Sequence, residues 1–137
     1  MISLLLFLIL AFLPSAKTTS DAVKITVKPQ QIYIERCATR QLLNFDFGVE
    51  NLSKDTLLIQ KIELSVFDKK DKLILRKFLD DNGTRPNIYT IANREIEAKK
   101  AQLIFNPFYD FDIDVELGKL RYTFSLVSKK VSQRLNS

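Results

Sequence analysis

At 137 residues the chain has room for one domain and a short tail, which excludes a second catalytic unit. It carries 21 Lys and Arg against 16 Asp and Glu, a net charge of +5, and no histidine. Without histidine there is no Ser–His–Asp or Cys–His nucleophile and no His-ligated zinc. The single cysteine, Cys37, has no partner for an internal disulfide, and with no histidine to activate it the thiol is expected to be packed or quiet rather than reactive.

Taken in chain order, Ile2 to Leu13 is apolar except for Ser3. A membrane-crossing helix needs roughly 20 such residues, so this shorter run matches the apolar region of a secretory signal. Small-x-small patterns follow at Pro14-Ser15-Ala16 and Ser20-Asp21-Ala22, although no Lys or Arg precedes the run. Residues 1–22 are therefore expected to be a signal segment, the protein to be exported to a periplasmic or extracellular space, and no stable transmembrane span to remain after cleavage. The other reading of the run is a core segment. Cleavage would remove Lys17 together with Asp21, leaving the net charge at +5.

From Val23 onward, period-2 alternation dominates, the mark of half-buried strands. Val23, Ile25 and Val27 alternate with polar residues until Pro29 interrupts; Ile32 and Ile34 resume, as when a strand passes between the sheets of a sandwich. Leu43, Phe45, Phe47 and Val49 predict one strand. Leu57 to Val66 predicts a hairpin or inter-sheet pair, and Leu73-Ile74-Leu75 a segment covered on both faces or marking a binding surface. Asp80 to Pro86 is a loop built on Asn82-Gly83 and Pro86. Ile88, Tyr89 and Ile91 suggest a short strand, Ile96 to Phe105 a longer one, and Leu120 to Leu126 the last. Together they predict an all-β, immunoglobulin-like or fibronectin-like sandwich of about seven antiparallel strands over residues 23–128, with a basic tail at 129–137.

Two patterns bear on chemistry. Asp110, Asp112, Asp114 and Glu116 alternate with apolar residues, which in extended form would line up four oxygen donors, as a calcium site requires. Val115 and Arg121 stand where an EF-hand loop needs Gly and Glu, so a charged edge strand is the expected identity. Asn51-Leu52-Ser53 and Asn82-Gly83-Thr84 match the N-glycosylation triplet and equally match turns. Basic residues are spread along the chain, with only Lys129, Lys130 and Arg134 clustered, so nucleic acid is not an expected partner. No cofactor, metal or catalytic residue is expected.

The stretch NFDFGVENLSKDTLLIQKIELSVFDKKDKLILRKFLDDNGTRPNI, followed by Arg94 and LIFNPFYDFDIDVELGKLRYTFSL, resembles the immunoglobulin-like N-terminal region of exported bacterial zinc metallopeptidases of the lysostaphin/LytM type. In such enzymes the zinc-binding domain follows the sandwich. Here no histidine is present, so no catalytic residue carries over. The resemblance implies a non-enzymatic module of the bacterial cell envelope, accessory to or a remnant of a peptidoglycan-type peptidase, with a protein partner or cell-wall polymer as its ligand. Asn82, Arg85, Tyr89, Phe108 and Tyr109, near the loops, are the candidate binding residues, although loop aromatics also cap sandwich cores. The alternative is an envelope assembly or adaptor protein that binds a partner through a sheet edge.

Overall fold

The computed structural model describes residues 4–11, 18–82 and 86–130. In chain order the described strands are β1 (Leu4–Ala11), β2 (Thr18–Thr19), β3 (Val23–Lys28), β4 (Ile34–Arg36), β5 (Arg40–Leu43), β6 (Asp46–Asn51), β7 (Leu57–Phe67), β8 (Leu73–Leu79), β9 (Glu95–Ile96), β10 (Ala101–Ile104), β11 (Asp110–Asp112) and β12 (Lys119–Ser128). A 3-10 turn at Ile88–Thr90 precedes β9. One sheet runs β1-β12-β7-β8 with β9 also on β7, a second runs β10-β6-β3-β2, and a third runs β11-β5-β4. The fold is thus an antiparallel all-β sandwich, as the alternation predicts. No described helix is long and apolar enough to cross a membrane. Leu4–Ala11, the apolar run expected to be a signal, lies antiparallel on β12 over eight residue pairs, with Leu8 fully buried in the core.

Where the chain departs from the expected strands, a change of pairing partner explains it. Pro29 ends β3, and the chain reappears as β4 in another sheet, as expected of a split strand. Leu43 to Val49 is two strands, because Asn44 still follows β5, donating its N–H to the Tyr33 carbonyl at 3.1 Å in the β4–β5 register, and from Asp46 the chain pairs with β3 instead. Leu43, Phe45, Phe47 and Val49 all stay buried; the backbone remains extended while its hydrogen bonds move from one sheet to another. Residues 57–67 form one strand instead of a hairpin. Its apolar phase shifts between Ile59 and Ile62 because Gln60 is an extra residue, opposite the register slip between Ser125 and Leu126 of β12.

The remaining departures are local. The strand expected at Ile88–Ile91 is a 3-10 turn, capped by Asn87, whose Oδ1 accepts the Tyr89 N–H at 3.1 Å. Ile96 to Phe105 is split into β9 and β10 by a turn with Lys99 at φ 62°, which carries the chain from the first sheet to the second. Leu73 and Ile74 are exposed, so that segment is not covered on both faces.

An aromatic cluster joins the sheets. Phe47 lies 4.8 Å from Tyr122 and 5.0 Å from Phe124, centroid to centroid, and Phe45 sits edge-on to both Phe47 and Tyr122. Each such pair contributes about 0.5–1.5 kcal/mol beyond simple burial.

A buried asparagine fastens each end of β6. At its last residue, Asn51 Nδ2 donates to the carbonyls of Asp55, Ile96 and Glu97 at 2.8, 2.9 and 3.1 Å, and Oδ1 accepts from the Ser53 N–H and hydroxyl. The Asn51 triplet is therefore a turn with its amide enclosed in the fold. At the first residue, Asp46 Oδ1 accepts the Asn106 N–H at 2.9 Å, and Asn106 Oδ1 accepts the Phe108 N–H and the Tyr122 hydroxyl.

Candidate binding groove

Along β10 the side chains alternate, with Ile104 buried and Leu103 exposed. The next residue, Phe105, continues the outward phase just as Asn106 and Pro107 turn the backbone away, and its ring is left 74% exposed. On one side of it is a surface groove of about 430 Å³ between residues 90–93 and 102–107. On the other is a groove of about 410 Å³ walled by Lys28, Pro29, Asn44, Asp46 and Tyr109. Phe105 and Asn106 line both, so the phenylalanine is a ridge between two troughs.

The break between β5 and β6 builds the second trough. Leu43 N–H donates to the Tyr109 carbonyl at 2.8 Å and Asn44 N–H to the Tyr33 carbonyl, so two exposed tyrosines flank the interruption. Beneath the ridge, Asn106 Nδ2 is buried without a hydrogen-bond partner among the described residues. Exposed aromatic faces beside a lysine and polar backbone suit a ligand with flat apolar faces and hydrogen-bonding edges.

Of the candidate residues, Tyr109 belongs to this groove. Phe108 does not: it is 5% exposed and packs on Tyr122 at 6.4 Å, because Asn106 Oδ1 holds its N–H and turns the ring inward. Tyr89 is exposed with the Arg94 guanidinium 4.5 Å over its ring, and Asn82 is exposed with its N–H on Asp80 Oδ1; neither lines a trough. Arg85 lies outside the described residues. Phe105 is the residue the candidate set missed. For Phe105 the signal was present in Leu103-Ile104-Phe105, where apolar residues on both faces cannot all be buried in a half-exposed strand.

The acidic alternation does not form an extended four-carboxylate face. β11 ends at Asp112 and the chain turns, with Gln41 Nε2 donating to the Asp112 and Val115 carbonyls. Arg40 bridges Asp110 and Asp112, and its hydrogen bond holds the Asp110 carboxyl below its ordinary range. Glu116 accepts the Lys69 N–H. Among the described residues no three potential ligands converge on a metal position. Cys37 is exposed, so of the two readings of a packed or a quiet thiol the packed one does not hold; its Sγ lies 3.4 Å from the Arg40 carbonyl. No family model, curated protein or solved structure matches the chain.

Proposed function

We propose that this chain is a non-catalytic, exported β-sandwich module of the bacterial cell envelope, accessory to a peptidoglycan-type metallopeptidase, and that it holds wall polymer or a protein partner on the Phe105 ridge. The observation that carries this reading is the 74% exposure of Phe105 between two open troughs, with the exposed Tyr109 lining one of them. A large aromatic ring held in water costs free energy unless something covers it in use. The positive net charge favours the anionic polymers of a wall. The sequence holds no histidine, and the troughs are open surface features suited to binding an extended chain.

Co-sedimentation with purified insoluble peptidoglycan tests the reading. The full chain is expected in the pellet, and the Phe105→Ser, Tyr109→Ser double variant is expected to lose about tenfold in affinity, equivalent to about 1.4 kcal/mol. Its thermal midpoint should stay close to that of the parent, because both side chains are more than half exposed. A parent chain that stays in the supernatant would sink wall binding, and a folded double variant that pellets equally well would sink the ridge as its site.

A further inference from the structure

The two edges of the main sheet are built differently. β8 is guarded. It bulges at Ile74, where Leu73 and Leu75 face adjacent residues of β7. Lys77 points inward, its Nζ 4.2 Å over the Phe111 ring and donating to the Asp110 carbonyl at 3.1 Å. Arg76 and Lys61 stand over Phe78 at 4.9 and 4.7 Å. Bulges, inward charges and edge cations are the devices that stop one sheet from adding another strand.

β12 has no inward charge or edge cation along most of its length, and its one register slip, at Ser125/Leu126, lies on the side facing β7, where Gln60 is the extra residue, while its outer edge pairs without a break. Its charges, Lys119 and Arg121, sit at one end, and Tyr122 to Ser128 is uncharged and free of proline. Its outer edge is instead covered by β1, which pairs from Ala11 on Lys119 to Leu4 on Leu126 and buries Leu8 opposite Tyr122. The strand that covers this edge has the sequence expected of a segment removed on export. Without it, an unguarded ladder and the apolar slot of Leu8 would face solvent.

We propose that the outer edge of β12 is a strand-acceptor site, filled by β1 until export and afterwards by an extended, uncharged apolar segment of about eight residues from another envelope polypeptide, antiparallel to β12. β1 itself defines the occupant: eight residues, no charge, and an aliphatic side chain at the Leu8 position. The inference rests on the export reading above and is independent of the Phe105 ridge.

The test begins with the full chain expressed for export and recovered from the cells. Intact mass reports whether the segment ending at Ala16 or Ala22 is gone. Hydrogen exchange at β12 is then followed with and without a probe peptide, LLLFLILA flanked by paired lysines. The processed chain should show β12 amides slowed about tenfold or more by the probe, and no slowing by the same peptide carrying aspartate in place of the central leucine that corresponds to Leu8. Exchange that the probe leaves unchanged, or equal protection by the aspartate peptide, would overturn the proposal. So would a processed chain that is dimeric with β12 already protected, since a second copy would then be the occupant. If the mass shows the segment retained, the export reading fails, and the acceptor is tested separately in full-length Leu8→Asp. There β12 should exchange faster and the probe should restore its protection; a β12 unaffected by both changes would eliminate the site.

Discussion

The Tyr122 hydroxyl donates to Asn106 Oδ1 at 3.1 Å, and both residues are closed off from solvent. Burial drives the phenol well above its ordinary range, so the folded state holds it neutral. A phenol in the unfolded chain ionises near pH 10. The contribution of Tyr122 is therefore fully present below about pH 10 and is lost as pH rises beyond it toward the folded-state value. Tyr122→Phe should cost about 1 kcal/mol at neutral pH, through the lost hydrogen bond. Its stability should fall less steeply than the parent's above pH 10, as urea unfolding across an alkaline series would show.

Gly118 is fixed by proximity. A Cβ there would stand 2.4 Å from the Asp68 carbonyl carbon and 2.6 Å from the Lys69 nitrogen, both backbone atoms in the turn after β7. Gly118→Ala should cost about 1–3 kcal/mol in a denaturant titration. Gly48→Ala should cost less, since the close atoms there belong to the Thr26 and Lys28 side chains, which can move.

Asn51→Ala leaves the carbonyls of Asp55, Ile96 and Glu97 without its amide, and the Ser53 N–H and hydroxyl without their acceptor. A loss of about 3 kcal/mol is expected, from buried groups left unpaired. Asn51→Asp should not rescue it, because a carboxylate supplies acceptors where three carbonyls need donors. Thermal midpoints of the two variants decide the point.

Lys77 is partly buried, and burial lowers its pKa despite the nearby Asp110. Lys77→Met should change folding stability by less than about 1 kcal/mol, since an ammonium withdrawn from water is replaced by an apolar chain of similar length. The effect should appear in association. With the inward charge gone, β8 loses a guard, and light scattering should report growth of dimers or larger species with concentration.

Alternation in the sequence made the sandwich legible because burial follows side-chain direction, and side-chain direction follows extended backbone. It could not show which sheet a strand joins. The break after Asn44 and the crossing at Lys99 are changes of hydrogen-bond partner, Gln60 is an extra residue within the β7–β12 pairing, and each leaves the apolar pattern intact or merely shifted. The groove was harder to see for the same reason. Phe108 and Tyr109 are adjacent and chemically alike, yet Asn106 captures the Phe108 N–H and sends that ring inward, leaving Tyr109 in solvent. Nothing in the local pattern separates them; the deciding acceptor is itself oriented by Tyr122, which lies 16 residues away.

The two asparagines at the ends of β6 also set the mechanical character of the molecule. Asn51 joins the second sheet to the loops around β7 and β9 of the first, while Asn106 joins it to Tyr122 of the first. Val23 lies opposite Asn51, and Lys129 and Lys130 reach Thr56 and Asp55 beside it, so the start of β3 and the residues that follow β12 meet at one pole. Phe105 stands at the other, one β6 length away, roughly 17 Å at about 3.4 Å per residue. With both poles clasped, the sheets have little freedom to shear. Phe105 is therefore held at a fixed distance from the Asn51 pole.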